Sequence, residues 1–422
     1  MSTDAAVQAI VEDISRKAQT ASRSLTTVSS QAKNNILQNV ADLLLKRKAD
    51  IQSVNQEDVA AGKEKGLSEA MLDRLTLSDN VIESMRTGLV EVMTLPDPVG
   101  QIANISKRPN DLMVGRMRIP LGVIGMIYES RPNVTIDAAA LCLKAGNSII
   151  LRGGSEAIRS NIILAEILQE ALQKGAINPD AVQVIPTTDR QAINHLLKQE
   201  RFVDLIIPRG GEDLIRFVSE NSRIPVLKHY KGVCHIYVDK DADYSKATPI
   251  IINSKVQRPG VCNALEGLLI HKEVAGTYLP EVVAELKKSG VTVLGCSETV
   301  AICPGTAAAG EQDWGTEFLD LKLCVKVVDS MQEAMDYVAR YGSKHTETII
   351  TENYTTAHYF LAQVDASAVM VNASTRFNDG GQLGLGAEIG ISTTKLHSYG
   401  PMGLEELTTQ KFIVYGTGQV RN

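Results

Sequence analysis

Hydrophobic residues recur with a helical period through the first ninety residues of this chain. Between residues 34 and 49, apolar positions repeat every three or four residues, the spacing of an amphipathic helix, in the set Ile36, Val40, Leu43 and Leu44. The segment Leu95–Gly100 contains two prolines and a glycine, and such residues interrupt helices. The pattern therefore predicts helices over residues 4–90 and a break after them.

From residue 121 onward, short apolar runs alternate with helical segments. The first series predicts strands at 121–128, 148–151, 182–185 and 203–207, and helices at 133–145, 156–174 and 212–219. A second series predicts strands near 264–271, 291–294, 323–328, 347–351 and 368–371, and helices near 276–288, 331–340 and 355–363. Continuous apolar strands spaced by helices are typical of parallel sheets covered on both faces. The chain is therefore predicted to be an α/β protein with two domains.

The stretch between these regions, residues 101–119, alternates loosely and carries several charges, including Lys107, Arg108, Arg116 and Arg118. This pattern predicts an exposed β-hairpin. Two interpretations remain open for it. The hairpin is either a solvated ribbon or an arm that pairs with another subunit.

Composition excludes several classes of protein. The 422-residue chain has a formal net charge of −6, which gives no electrostatic support for a nucleic-acid partner. It has no apolar run of about 18 residues and no signal pattern at its N-terminus, so we expect no membrane span and no secretion. Its six cysteines are dispersed, and its seven histidines show no metal-ligand spacing. We therefore predict reduced thiols, a cytoplasmic protein and no metal site.

One cysteine stands out by its local sequence. Cys262 follows a Pro-Gly pair within Gln257–Glu266 and is preceded by the cations Lys255 and Arg258. A Pro-Gly pair favours a loop, and nearby cations lower the pKa of a thiol. Cys262 is thus a candidate nucleophile. The alternative is a buried structural cysteine, and the local sequence favours neither.

The first α/β series contains the same turn twice. A predicted strand ends in Arg152-Gly153-Gly154-Ser155, and another ends in Arg209-Gly210-Gly211, each followed by a helix. Glycines allow close backbone approach, helix N-termini offer unpaired N–H groups, and arginine suits a phosphate. Two such turns favour a dinucleotide site over simple tight turns, although the usual G-x-G-x-x-G motif is absent.

Three further positions carry candidate chemistry. Asn133 follows the first predicted strand and could donate to an oxyanion or cap a helix. Glu317, in a loop before a strand, could hold ribose hydroxyls or be a surface residue. Arg376 is the cation of a long glycine-rich loop, residues 372–386, and could clamp a carboxylate or brace its own loop.

The order of these features resembles the aldehyde dehydrogenase superfamily over essentially the whole chain. The resemblance is closest in residues 119–133, 257–266 and 342–347. It implies a Rossmann-type cofactor domain (residues 1–98 and 119–232), an α/β catalytic domain (233–395) and a small β arm for oligomerisation and bridging (99–118 and 396–422).

The resemblance also implies roles for individual residues. Cys262 matches the catalytic nucleophile, and Asn133 matches the amide that forms the oxyanion hole with the backbone N–H of Cys262. Arg152 falls where the superfamily usually has a lysine on the adenosine ribose. Glu317 matches the glutamate that holds the nicotinamide ribose.

One departure from the superfamily narrows the implied reaction. The general-base glutamate that hydrolyses the thioester should lie in residues 226–233, where this chain has no carboxylate. The long matching segments resemble the branch that reduces an acyl phosphate, L-glutamyl 5-phosphate, with NADPH in the second step of proline biosynthesis. The rivals are a hydrolytic NAD(P) aldehyde dehydrogenase and a catalytically silent binding protein on this fold.

That branch implies further partners and a substrate site. We expect a homo-oligomer, supplied with acyl phosphate by a separate glutamate 5-kinase. Arg376 is expected to bind the α-carboxylate of the substrate, and Arg131 and Arg258 its phosphate. If Arg376 only braces its loop, Ser374 and neighbouring backbone N–H groups would bind the carboxylate instead.

Overall fold

The computed structural model describes residues 3–421 and divides the chain into two compact units. Among the described residues, unit 1 comprises residues 3–228, 385–390 and 402–421, and unit 2 comprises residues 229–384 and 391–401. The α/β architecture with parallel sheets is present, as predicted. The functional assignment of residue ranges to cofactor, catalytic and oligomerisation segments remains a prediction.

Unit 1 begins with five helices, as the periodicity predicted: α1 (Thr3–Leu25), α2 (Ser30–Lys46), α3 (Lys48–Glu64), α4 (Glu69–Leu75) and α5 (Asp79–Thr94). Serines start three of them. The side chains of Ser29, Ser68 and Ser78 accept hydrogen bonds from backbone N–H groups in the first turns of α2, α4 and α5, which satisfies donors that a helix leaves unpaired.

The predicted hairpin is formed by β1 (Ile102–Lys107) and β2 (Met113–Pro120). The central element of unit 1 follows it: β3 (Val123–Tyr128), α6 (Asn133–Lys144), β4 (Ser148–Arg152), α7 (Ile158–Lys174), β5 (Val182–Val184), α8 (Gln191–Leu196), β6 (Leu205–Arg209) and α9 (Glu212–Asn221). The four strands form a parallel sheet in the order β5-β4-β3-β6. Helices α2, α5, α6 and α7 pack with this sheet in one hydrophobic core.

Unit 2 contains β7 (Cys234–Val238), α10 (Tyr244–Val256), β8 (Leu265–His271), α11 (Lys272–Lys288), β9 (Thr292–Gly295), α12 (Ser297–Ile302), β10 (Ala307–Ala308), β11 (Lys322–Val328), α13 (Met331–Tyr341), β12 (Thr346–Ile350), α14 (Tyr354–Gln363) and β13 (Ala368–Val371). Its seven strands form a sheet in the order β10-β9-β11-β8-β7-β12-β13. The sequence predicted five of these strands and missed β7 and β10.

The last strands are β14 (Gly390–Ser392), β15 (Gly400–Met402) and β16 (Thr408–Tyr415). The first two pair with each other, and β16 adds to the hairpin as a third strand, in the order β1-β2-β16. Large apolar side chains are exposed on this small sheet: Ile102, Ile105, Phe412, Val414 and Tyr415. Exposed apolar patches often mark protein–protein contacts.

Helix α2 offers a direct test of the packing in unit 1. Leu44 is fully buried, whereas its neighbour Leu45 is 51% exposed. Leu44→Ala should lower the free energy of unfolding by about 2–5 kcal/mol, because it removes buried methyl groups and leaves a cavity. Leu45→Ala in the same helix should change it by less than about 0.5 kcal/mol. Urea unfolding of both variants measures the difference, and equal losses would contradict the packing described here.

Candidate active site

The candidate residues of unit 1 follow the carboxyl ends of neighbouring strands. Strand β3 lies between β4 and β6 and is parallel to both. The two Arg-Gly-Gly turns, which follow β4 and β6, therefore flank the segment after β3 that leads into Asn133. This edge of an open parallel sheet is where ligands bind in α/β folds.

The first turn has buried donors that fit an anionic ligand. Arg152 is buried, and its guanidinium group donates to the carbonyl oxygens of Gly153 and Thr188. Burial lowers the pKa of this arginine. Its Nε and the buried Nδ2 of Asn161 have no hydrogen-bond partner among the described residues. A Cβ built on Gly153 would overlap the Asn161 amide, so only glycine fits here.

The start of the helix after this turn differs slightly from the prediction. Gly154 and Ser155 lead into a short 3-10 turn, Ser155–Ala157, before α7 begins at Ile158. The backbone N–H and hydroxyl of Ser130 both donate to Glu156 within the same region. The carboxylate of Glu156 is therefore engaged by Ser130.

The second turn is already engaged by a carboxylate of the protein. The N–H of Gly211, which follows Gly210, donates to Oε2 of Glu129 at 2.9 Å. The Arg209 guanidinium donates to the carbonyl of Ile389 at 3.2 Å. Because Glu129 occupies the anion position at this helix N-terminus, the first turn fits a phosphate better than the second.

Asn133 is the first residue of α6, and its side chain makes no capping bond. Pro132 is the N-cap residue, so the helix-cap interpretation of Asn133 is wrong. The Asn133 amide nitrogen instead donates to Oδ2 of Asp137 at 3.0 Å. Arg131, just before this helix, is half-buried. Asp137 is the one acidic residue of this mostly apolar helix, and it was not among the site residues predicted from the sequence.

In unit 2, Cys262 lies on the loop between α10 and β8 and is half-buried. The thiol of Cys234 donates to the backbone carbonyl of Cys262 at 3.1 Å. Burial raises the pKa of Cys234 well above its usual value, so that thiol stays protonated and remains a donor. A Cβ on Gly232 would overlap the same carbonyl. The loop placement expected of a nucleophile is present, and the segment 232–234 supports it.

The candidate substrate arginines belong to the same unit as Cys262. The Nε of Arg376 donates to Oε1 of Gln257 at 2.8 Å. Burial lowers the pKa of Arg376, and the positive charge of Arg258 lowers it further. The charges of Asp379 and Cys262 oppose this shift. Arg376 is thus close enough to Arg258 and to Cys262 to interact with each of them electrostatically.

The hydroxyl of Ser374 makes hydrogen bonds to other groups of the protein. Its hydroxyl lies 2.9 Å from the hydroxyl of Ser254 and accepts the backbone N–H of Arg376 at 3.3 Å. Ser374 is buried and caps the short 3-10 turn Thr375–Phe377. Its hydroxyl is therefore engaged in holding the glycine-rich loop to α10.

A buried ion pair connects the loop of Cys262 to the loop of Glu317. Lys255 Nζ lies 2.7 Å from Oε2 of Glu266, and Oε1 of Glu266 accepts the backbone N–H of Leu319 at 3.3 Å. Burial raises the pKa of Glu266 to about 7, and attraction to Lys255 opposes this shift. Leu319 has a left-handed φ of 55°. Lys255 was predicted from the sequence to be a cation near Cys262, but its ion pair with Glu266 was not predicted.

Residues 3–421 contain no group of three or more His, Cys, Asp and Glu side chains arranged to hold a metal ion. Within the same range, every helix is too short or too polar to cross a bilayer.

Comparisons with known proteins cover the whole chain. The sequence model of the aldehyde dehydrogenase family matches residues 1–307. The chain is 64% identical to the gamma-glutamyl phosphate reductase of Desulfotalea psychrophila, over 98% of this chain and 99% of that protein. It is 58% identical to the enzyme of the same name from Desulfatibacillum aliphaticivorans, over 99% of this chain and 100% of that protein. The crystal structure of gamma-glutamyl phosphate reductase from Thermotoga maritima superposes on this structure with a TM-score of 0.96. The two sequences are 45% identical, and the superposition covers 98% of this chain and 100% of that chain.

The environments of the thiols predict selective alkylation. Cys262 should react with iodoacetamide at neutral pH, because it lies on a loop near the cations Arg258 and Arg376. Burial raises the pKa values of Cys142, Cys234 and Cys324, so these thiols should react only after unfolding. Peptide mass spectrometry of briefly treated protein measures each site. The control is Cys296, which is also half-buried. Equal labelling of Cys262 and Cys296 would contradict an activated Cys262.

Proposed function

Because the chain belongs to the aldehyde dehydrogenase family and, within it, to the γ-glutamyl phosphate reductases, we propose that it reduces L-glutamyl 5-phosphate with NADPH. The products are L-glutamate 5-semialdehyde, phosphate and NADP. This reaction is the second step of proline biosynthesis. The observation that carries the proposal is the half-buried thiol of Cys262 on its loop, which lies within electrostatic range of Arg376.

The first chemical step is assigned to unit 2. The Cys262 thiolate attacks the acyl carbon of the substrate, the carbon–oxygen bond to phosphate breaks, and a thioester forms. Arg258 and Arg131 suit the departing phosphate, because guanidinium groups form strong charge-assisted bonds to it. Arg376 suits the α-carboxylate, and its bond to Gln257 holds the side chain in place.

Asn133 stabilises the negative charge that develops on the carbonyl oxygen. Its amide nitrogen and the backbone N–H of Cys262 are the two proposed donors. Fixed donors aimed at a developing oxyanion contribute more than mobile water does, because they need no reorganisation during the reaction. A bound nicotinamide cofactor would supply a hydride to the thioester carbon, and collapse of the resulting thiohemiacetal oxyanion on Cys262 would release the aldehyde and regenerate the Cys262 thiolate.

The aldehyde dehydrogenase family uses nicotinamide cofactors, which supply the hydride. The adenosine end of the cofactor would be held by Arg152, Gly153, Gly154 and Ser155, with the Arg152 guanidinium bound to the 2′-phosphate of NADPH. Two buried donors near this turn, Arg152 Nε and Asn161 Nδ2, have no hydrogen-bond partner among the described residues, and they support the assignment. Glu317 would hold the nicotinamide ribose. Arg209, Gly210 and Gly211 are the weaker part of the proposed site, because Glu129 already accepts the Gly211 N–H.

The sequence around residue 230 supports acyl-phosphate chemistry over hydrolysis. Residues 226–233 contain no Asp or Glu, so this segment offers no carboxylate to activate water against the thioester. Phosphate exchange needs no such base. We further propose that the protein works in the cytoplasm as a homo-oligomer assembled through the small sheet β1-β2-β16, and that a glutamate 5-kinase supplies its substrate.

Phosphate dependence tests the proposed reaction. In the reverse direction, glutamate semialdehyde should reduce NADP in steady state only when phosphate is added. Cys262→Ala should lower kcat by at least about a thousandfold, whereas Cys296→Ala should stay within about twofold of the parent. NADPH formation is followed by absorbance. Sustained turnover without phosphate would support a hydrolytic dehydrogenase, and near-normal activity of Cys262→Ala would refute the thioester route.

Arg152 tests the cofactor assignment. Arg152→Ala should weaken NADPH binding about ten- to a hundredfold, because a lost hydrogen bond to a charged group costs roughly 1.5–3 kcal/mol. NADH binding should change much less, and Arg152→Lys should retain part of the preference. Fluorescence titration measures both affinities, with thermal unfolding as a control for the buried position. Equal loss for the two cofactors would show that Arg152 does not contact the 2′-phosphate.

A further inference from the structure

Asp137 lies one helical turn after Asn133 in α6. Residues four apart share one face of a helix, and the Asn133 amide nitrogen donates to the Asp137 carboxylate at 3.0 Å. The neighbouring positions of this helix, Val134, Ile136 and Ala138, are buried and apolar. A carboxylate at this position is therefore an exception to the pattern of the helix.

The surroundings of Asp137 make ionisation of its carboxyl group unfavourable. Burial raises the pKa of this carboxyl to about 6, while the bond from Asn133 and the charge of Arg209 oppose the shift. Arg209 ends the neighbouring strand β6 and also donates to the carbonyl of Ile389. Among the described residues, the half-buried carboxylate of Asp137 accepts one hydrogen bond, from Asn133, and such a group stabilises the fold less than an apolar residue would. This cost calls for a role other than packing.

An asparagine amide can present either its oxygen or its nitrogen in a given direction, because the two orientations have nearly the same shape. An ionised carboxylate only accepts hydrogen bonds. It therefore holds the Asn133 nitrogen on its own side and the oxygen away from it. The nitrogen carries two hydrogens, so one remains for another acceptor.

We propose that Asp137 is a positioning residue: it fixes the orientation of the Asn133 amide so that the second N–H of Asn133 donates to the oxyanion of the reaction. Arg209 offsets the negative charge that Asp137 brings near this oxyanion. The inference rests on the proposed function, and it adds to that function a residue that acts only through Asn133.

A double-mutant cycle tests the inference. Asp137→Leu keeps the branched arrangement of four heavy atoms but has no acceptor, and Asp137→Asn keeps an acceptor oxygen. Asp137→Leu should lower kcat about tenfold to a hundredfold, a fraction of the loss typical of an oxyanion donor, with Asp137→Asn in between. The affinity for NADPH should stay within about twofold. In the Asn133→Ala background, Asp137→Leu should change kcat by less than about twofold, because the residue it positions is gone.

Two outcomes would overturn the inference. One is an unchanged kcat in Asp137→Leu, and the other is a loss in the Asn133→Ala background as large as in the parent. The rate of Cys262 alkylation serves as a folding control and should be the same in all variants.

A measurement independent of turnover separates this inference from the proposed function. Carbon-13 NMR of aspartate-labelled protein follows the Asp137 carboxyl, identified by its absence in Asp137→Asn. Asn133→Ala should raise its pKa further, because the hydrogen bond that favours the charged form is lost. No change would refute the contact. If the pKa rises but the parent shows no phosphate-dependent activity, the contact stands and the proposed reaction fails.

Discussion

The buried ion pair between Lys255 and Glu266 is the constraint on which the geometry around Cys262 depends. Lys255 lies in the last turn of α10, Glu266 lies in β8, and Cys262 is on the loop between these two elements. Both side chains are almost completely inaccessible to solvent. Removing one partner of such a pair typically costs about 3–5 kcal/mol, because the other charge is left buried and uncompensated. The pair therefore fixes the two ends of the loop relative to each other.

The same carboxylate also connects the two functional loops of unit 2. One oxygen of Glu266 binds Lys255, and the other accepts the N–H of Leu319, two residues after Glu317. From the opposite side, the Cys234 thiol binds the carbonyl of Cys262. Cys262, the proposed nucleophile, thus lies on a loop with several buried contacts, which restrict its motion while the residue stays half-exposed. Such preorganisation suits the roles proposed for Cys262 as a nucleophile and for Glu317 as a ribose-binding carboxylate.

Much of this could be predicted from sequence because the signals are local. The apolar strands, the two Arg-Gly-Gly turns and the Pro-Gly before Cys262 each depend on neighbouring residues, and the resemblance to a family supplied their roles. What the sequence could not predict depends on distant partners. Strand β7 contains His235, whose burial depends on Glu347 across the sheet. Strand β16 pairs with β2, nearly three hundred residues earlier in the chain. The contact of Gly211 with Glu129 likewise depends on residues that only the fold brings together, so it could not be predicted from the sequence.

The central claim is that Cys262 carries the acyl group during the reaction. The direct measurement is a single turnover of glutamate semialdehyde with NADP in the absence of phosphate, followed by acid quenching and peptide mass spectrometry. The account predicts a glutamyl thioester on the Cys262 peptide, at about one per active chain, which disappears when phosphate is added. An acyl group on any other residue, or NADPH formation with no acylated peptide, would contradict the account.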